Sequence, residues 1–170
     1  MLAVMALLAT LPARFTCPGG EGTAASPDGK WLLTCVEKTV AEDDHRVYIQ
    51  RVGESSKVLV LLRAFPRWAD FFWSPSCAKL AVVDGEGSTD TETYLYDPRD
   101  PKRPTRVMDL LKAQAGKGEL APFRGFDHLY LVVTGWKSEQ QLQVLLSGHG
   151  DHRSAERRFV IQLGRAPDRN

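Results

Sequence analysis

The side chains best placed for chemistry form an acidic run, Asp84-Gly85-Glu86-Gly87-Ser88-Thr89-Asp90-Thr91-Glu92, in which oxygen-bearing groups recur at alternate positions. Calcium loops use such alternation, because a hard cation takes six or more oxygens and needs a sharp, glycine-permitted bend. Asp84, Glu86 and Asp90 are the candidate calcium ligands. The run has no Gly at the sixth position and Leu95 at the twelfth, so it is not an EF-hand, and a solvated inter-strand loop has the same composition. A second cluster, His149-Gly150-Asp151-His152, puts two imidazoles and a carboxylate within four residues. Zinc would need a further ligand from His45 or His128, and a Gly-containing hairpin loop is the plainer reading. There is no Gly-x-Ser-x-Gly elbow for a hydrolase, no third glycine and helix for a dinucleotide, and no Cys-x-x-Cys. A third candidate, Phe65-Pro66-Arg67-Trp68, leads from a loop into a turn and brings together Arg and Trp, residue types enriched among interface anchors. Trp68 covering the end of a sheet is the alternative there.

These segments belong to a unit that occurs twice. Ser26-Pro27-Asp28-Gly29-Lys30 leads into Trp31-Leu32-Leu33, and Phe72-Trp73-Ser74-Pro75-Ser76-Cys77-Ala78-Lys79 leads into Leu80-Ala81-Val82-Val83. Pro fixes φ at the turn, Asp bonds the backbone just downstream and Gly accepts positive φ, so each segment reverses the chain and a strand follows. Trp31, Leu33 and Cys35 then share one face of that strand, and Leu32, Thr34 and Val36 the other. A second strand follows in each copy, at Val47-Tyr48-Ile49 and at Thr93-Tyr94-Leu95-Tyr96. The spacing is 48 residues from Ser26 to Ser74 and 46 from Tyr48 to Tyr94, within the range of solenoids, propellers and arrays.

The pattern Phe-Trp-Ser-Pro-x-x-x-x-Leu-Ala-Val followed by Tyr-Leu-Tyr-Asp resembles the WD-like repeat of TolB-type β-propellers. Residues 24 to 112 carry the resemblance; Ser76-Cys77 replaces the family's Asp-Gly, and Ala25 stands where Trp is usual. A degenerate third copy is expected in the runs Phe126 to Val133, Gln141 to Leu146 and Arg158 to Leu163. Lys57 to Leu62 supplies a fourth strand to the first copy. Arg106 to Leu111 is either the fourth strand of the second copy or a short helix running on to Ala115. The expectation is an all-β, small or incomplete propeller-like stack of antiparallel sheets, with about three repeat units and Trp73 in its core. The resemblance implies binding to a protein partner rather than catalysis, in the manner of bacterial envelope inhibitors or immunity proteins. A calcium- or zinc-dependent carbohydrate-binding module or hydrolase is the rival. Arg67 with Trp68, and Asp84 with Glu86 and Asp90, are the two candidate binding patches.

The chain has 170 residues, enough for one domain with its own core, and carries 22 Lys and Arg against 21 Asp and Glu. That balance gives no basic stripe for nucleic acid. Leu2 to Ala13 is apolar, too short for a membrane span and of the length of a signal-peptide core, although no basic residue precedes it. The expected organisation is a leader or apolar segment over residues 1 to 16, a β domain over 17 to 165 and a flexible tail over 166 to 170. A periplasmic or secreted location follows. Arg14-Phe15-Thr16 before Cys17 argues against a lipoprotein, and a buried N-terminal strand is the alternative to export. Of three cysteines, Cys17 and Cys35 are the first choice for a disulfide; Cys35 can equally be a buried apolar residue.

Overall fold

A computed structural model describes residues 14–19, 22–40, 43–53, 59–150 and 152–164. Its strands are β1 (Arg14–Cys17), β2 (Thr23–Ala25), β3 (Trp31–Val36), β4 (His45–Arg51), β5 (Val60–Phe65), β6 (Trp68–Trp73), β7 (Leu80–Gly85), β8 (Asp90–Asp97) and β9 (Asp100–Arg106). Helix α1 (Val107–Gln114), a single turn α2 (Lys117–Leu120) and a 3-10 turn at Ala121–Phe123 follow. The chain then returns to strands β10 (His128–Ser138), β11 (Gln141–Gly150) and β12 (Arg153–Gln162). The protein is thus mostly β, as the alternating apolar runs predict.

β2 to β5 form a four-stranded antiparallel sheet in chain order. β6 to β9 form a second antiparallel meander, to which β1 adds beside β6. β10 to β12 are antiparallel to one another and join this second sheet through a short parallel contact, Leu129 and Tyr130 opposite Asp90 and Thr91. β8 therefore carries β10 along its first residues and β9 along its last.

The two Ser-Pro turns fold alike. Ser26 N donates to the Trp31 carbonyl (2.8 Å), Gly29 N to the Ser26 carbonyl (2.8 Å) and Trp31 N to Ser26 Oγ (3.0 Å). Forty-eight residues later the same three bonds recur: Ser74 N to Lys79 O (2.9 Å), Cys77 N to Ser74 O (2.9 Å) and Lys79 N to Ser74 Oγ (3.1 Å). Gly29 has φ +70° and Cys77 φ +58°, so the cysteine adopts the left-handed backbone that glycine supplies in the first turn. The Ser26 hydroxyl donates to Asp28 within its own turn (2.6 Å), whereas Ser74 donates to Glu139 (2.7 Å) from the β10–β11 connection. Glu139 also accepts from Ser76 N (2.9 Å), so a carboxylate three strands away replaces the one that Ser76 lacks.

Strand alternation divides the core in two. Phe71, Trp73, Leu80, Val82 and Tyr96 meet Leu33, Val47, Ile49, Leu62 and Phe65 of the first sheet. Phe72, Ala81 and Val83, on the opposite face of β6 and β7, meet Leu131, Val133, Val144, Leu146, and Val107 and Leu111 of α1. β6 and β7 are thus buried on both sides, which explains why they are largely apolar, whereas β8 is more polar and only partly buried. Cys17 on β1 and Cys35 on β3 form a disulfide, with Cα atoms 5.8 Å apart, that ties the second sheet to the first.

Several expectations shift. Arg14 to Cys17 pair with β6 and Phe15 is buried, so the expected boundary at residue 16 cuts a strand; the apolar run Leu2 to Ala13 and the tail 166 to 170 lie outside the described residues. The run Arg106 to Leu111 is not a strand: β9 covers Asp100–Arg106 and the apolar residues after it form α1. Helix wins there because Val107 and Leu111, one turn apart, reach the same core. Phe65 closes β5 in the core, and the run from Trp68 to Trp73 is strand where a loop is expected at its start.

Candidate functional site

Pro66 and Arg67 form the two-residue link between β5 and β6, so this link joins the first sheet to the second at one end of the molecule. β6 and β7 pair with Trp68 opposite Gly85 and Ala69 opposite Asp84. The candidate patches around Arg67 and around Asp84 are therefore neighbours on a single rim. The Trp68 indole lies across Gly85: a Cβ there would come within 2.4 Å of Trp68 Cε2, so only glycine lets the ring seat. Trp68 is half-buried against the second core cluster and covers the sheet end, while Arg67 is exposed.

Asp84 is not a loop residue. It is fully buried near the end of β7, where Arg63 of β5 reaches across from the first sheet and donates from Nε to Asp84 Oδ2 (2.6 Å) and from a terminal nitrogen to Glu86 Oε1 (2.8 Å). The guanidinium sits 4.0 Å from the centre of the Tyr94 ring, and the Tyr94 hydroxyl donates to Glu86 at 3.4 Å. Burial pushes the Asp84 carboxyl up to about 6 although Arg63 pulls the other way. Burial also disfavours the Arg63 charge, but Asp84 outweighs it and holds the guanidinium above its ordinary value. One Asp84 oxygen, Oδ1, has no hydrogen-bond partner among the described residues. Such a pair costs desolvation and fixes how the two sheets meet.

That arrangement removes Asp84 from any surface a partner touches. Glu86 and Asp90 remain exposed, Asp90 at the first position of β8 beside Leu129. Among the described residues no group of three or more His, Cys, Asp or Glu side chains is placed to hold a metal ion. The histidines divide: His128 and His149 face each other across β10 and β11 with rings stacked at 4.4 Å, while His45 belongs to the first sheet, where its Nδ1 accepts from Lys38 N at 3.1 Å. His152 lies in the β11–β12 turn, and Asp151 lies outside the described residues. Cys77, the free cysteine, is buried and its thiol is pushed up by desolvation, which disfavours the thiolate that a nucleophile requires.

The feature that sequence reasoning missed is the edge beside this rim. In the described residues β5 hydrogen-bonds only to β4, although β9 of the second sheet lies close to it. Edge strands usually carry charges or prolines that discourage further pairing. β9 has Pro101, Pro104, Lys102 and Arg103, and β12 has Arg153, Glu156, Arg157 and Arg158. β5 has a single charge, Arg63, turned inward onto Asp84, and it presents Leu61 to solvent at 47% exposure, with Leu59 just before it at 46%. Tyr48 pairs with Leu61 and Thr34 pairs with Tyr48, extending the partly exposed surface across the outer face. No helix among the described residues is long and apolar enough to cross a membrane. No family model, curated protein or solved structure matches the chain.

Proposed function

We propose that this chain is an exported, non-catalytic β-repeat module, a truncated propeller of TolB type, that binds a partner protein along β5 and the rim formed by Arg67 and Glu86. The observation that carries this reading is the edge of β5, to which no further strand hydrogen-bonds among the described residues and which carries outward leucines and no outward charge or proline. A partner strand laid on such an edge gains main-chain hydrogen bonds, and its side chains can meet Leu61 and Tyr48 on one face. The repeat reading draws support from the three turn hydrogen bonds repeated 48 residues apart. The Cys17–Cys35 disulfide favours an oxidising compartment and hence the periplasm or outside. Inhibition of an envelope enzyme, or immunity against one, is the use that the TolB-like resemblance suggests.

The test is site-specific photo-crosslinking of the oxidised protein in envelope extract. A crosslinker at Leu61 or Arg67 is expected to trap one discrete protein, and Leu61→Lys is expected to abolish capture from position 67. A crosslinker at Arg158 on the charged β12 edge is the control. Equal trapping at Arg158, or none at positions 61 and 67, would remove the proposal.

A further inference from the structure

Across β6 and β7 from the first sheet, the segment from α1 to β10 lines an open pocket of about 330 Å³. Met108 of α1, Leu120 of α2, Phe123 of the 3-10 turn, Leu129 of β10 and Leu146 of β11 form its apolar lining. Phe123 and Leu146 are buried, while Met108, Leu120 and Leu129 keep partly exposed surface. The helix over this cavity is fixed: the Gln114 side chain donates from Nε2 to the Gln162 carbonyl (2.8 Å) and accepts from Gln162 N (2.8 Å), so α1 is tied to β12 as a neighbouring strand would be.

The remaining lining is cationic. Lys112, Lys117 and Arg124 stand around the cavity, all exposed, with no carboxylate among the lining residues. None of the three forms an ion pair among the described residues. The nearby carboxylate of Glu119 is engaged elsewhere, accepting from Gly116 N (2.9 Å) and lying 3.8 Å from Arg157. An apolar hollow with three uncompensated cations at its border matches a ligand with a hydrocarbon tail and an anionic head, the usual division between apolar walls and a few orienting polar groups.

We infer that this cavity binds a single-chain aliphatic carboxylate, its tail against Phe123, Leu129 and Leu146 and its head held by Lys112, Lys117 and Arg124. The ionised head stays at the solvent boundary, where it loses little hydration, and each buried methylene adds apolar contact. Calorimetric titration of the full chain with octanoate, decanoate and dodecanoate tests this, with decanol and decyltrimethylammonium as neutral and cationic heads on one tail length. Affinity is expected to rise roughly fourfold per methylene until the cavity fills. Decanoate is expected to bind best of the three ten-carbon compounds and the cationic one worst. The double variant Lys117→Ala with Arg124→Ala, at exposed positions that leave the fold intact, is expected to weaken decanoate about tenfold while decanol binding holds. Absence of decanoate binding, affinity independent of tail length, or equal binding of the three head groups would each overturn the inference.

Discussion

At the scale of single residues, Asp84 shows how burial redirects a group that its sequence offers as a ligand. With its folded value raised to about 6 from an ordinary 3.8, the folded protein binds the Asp84 proton more tightly than the unfolded chain does. Asp84's contribution is therefore present in full below about pH 3.8 and is lost as pH rises through about 6. A change from 3.8 to about 6 corresponds to roughly 3 kcal/mol. Urea unfolding of the wild type and of Asp84→Asn at pH 4 and pH 7 measures it: the wild-type advantage over the variant is expected to shrink by about that amount between the two. An unchanged difference would mean that Asp84 titrates normally. Trp73 and Trp68 provide a second comparison. Trp73 is 3% exposed, so Trp73→Ala is expected to cost about 3 to 5 kcal/mol. Trp68→Ala is expected to cost less, since that residue is only partly buried at the end of the sheet, over Gly85 and the margin of the second core; equal losses in thermal or urea unfolding would contradict the distinction. The core role of Trp73 was legible from its place before a Ser-Pro turn. Asp84's fate was not, because it depends on Arg63, 21 positions earlier, arriving from another sheet.

At the scale of elements, the Ser-Pro turns were legible because their chemistry is local: Ser, Pro and a left-handed third corner determine the reversal within six residues. Elements set by distant partners were harder to read. β9 carries two prolines and no apolar pattern, and it is a strand because β8 offers it an edge. α1 has a single β-branched residue, Val107, among strong helix formers, and the apolar start of its run left a strand open until the core cluster took Val107 and Leu111. The β5 edge lay hidden because its exposure depends on which strand fails to pair with it. The second turn shows a long-range dependence that is open to measurement. Glu139 accepts from both Ser74 and Ser76; these bonds hold its carboxyl below the usual range against burial, which pushes the other way. Glu139→Ala is expected to cost about 1 to 2 kcal/mol at neutral pH, as befits hydrogen bonds to a charged acceptor. Because the folded value is depressed, that stabilisation is present above the ordinary carboxylate range and is lost as pH falls through the lowered value. Chemical denaturation of the variant at pH 7 and pH 3 is expected to show the deficit narrowing in acid. A deficit of equal size at both would assign the loss to packing.

At the scale of the whole molecule, the order of layers assigns each interface a different kind of support. The β6–β8 layer is held on one side by α1 and β10 to β12 through the second core cluster, where chain connections run from β9 through α1 to β10. On the other side it meets the first sheet through the first core cluster, the Arg63–Asp84 pair and the Cys17–Cys35 disulfide. The disulfide closes a segment of 18 residues, for which the loss of unfolded-chain entropy is worth about 3 kcal/mol. Its effect falls mainly on one interface, because the buried side chains of β1 and β3, Phe15, Cys17 and Leu33, belong to the first core, and β1 meets the second only where Arg14 lies over Phe72. Reduction, or Cys17→Ser with Cys35→Ser, is therefore expected to loosen the first sheet selectively. Hydrogen exchange read by mass spectrometry is the measurement: amides of β3 and β4 are expected to lose protection on reduction while those of β10 and β11 retain most of theirs, as cooperative units of unequal stability do. Uniform loss across all strands would mean that the layers unfold as one unit, and the β5 edge would then owe its rigidity to the whole stack. If the first sheet alone loosens, partner capture at Leu61 is expected to fall on reduction while carboxylate binding at the α1 cavity persists, separating the two surfaces by the interface on which each depends.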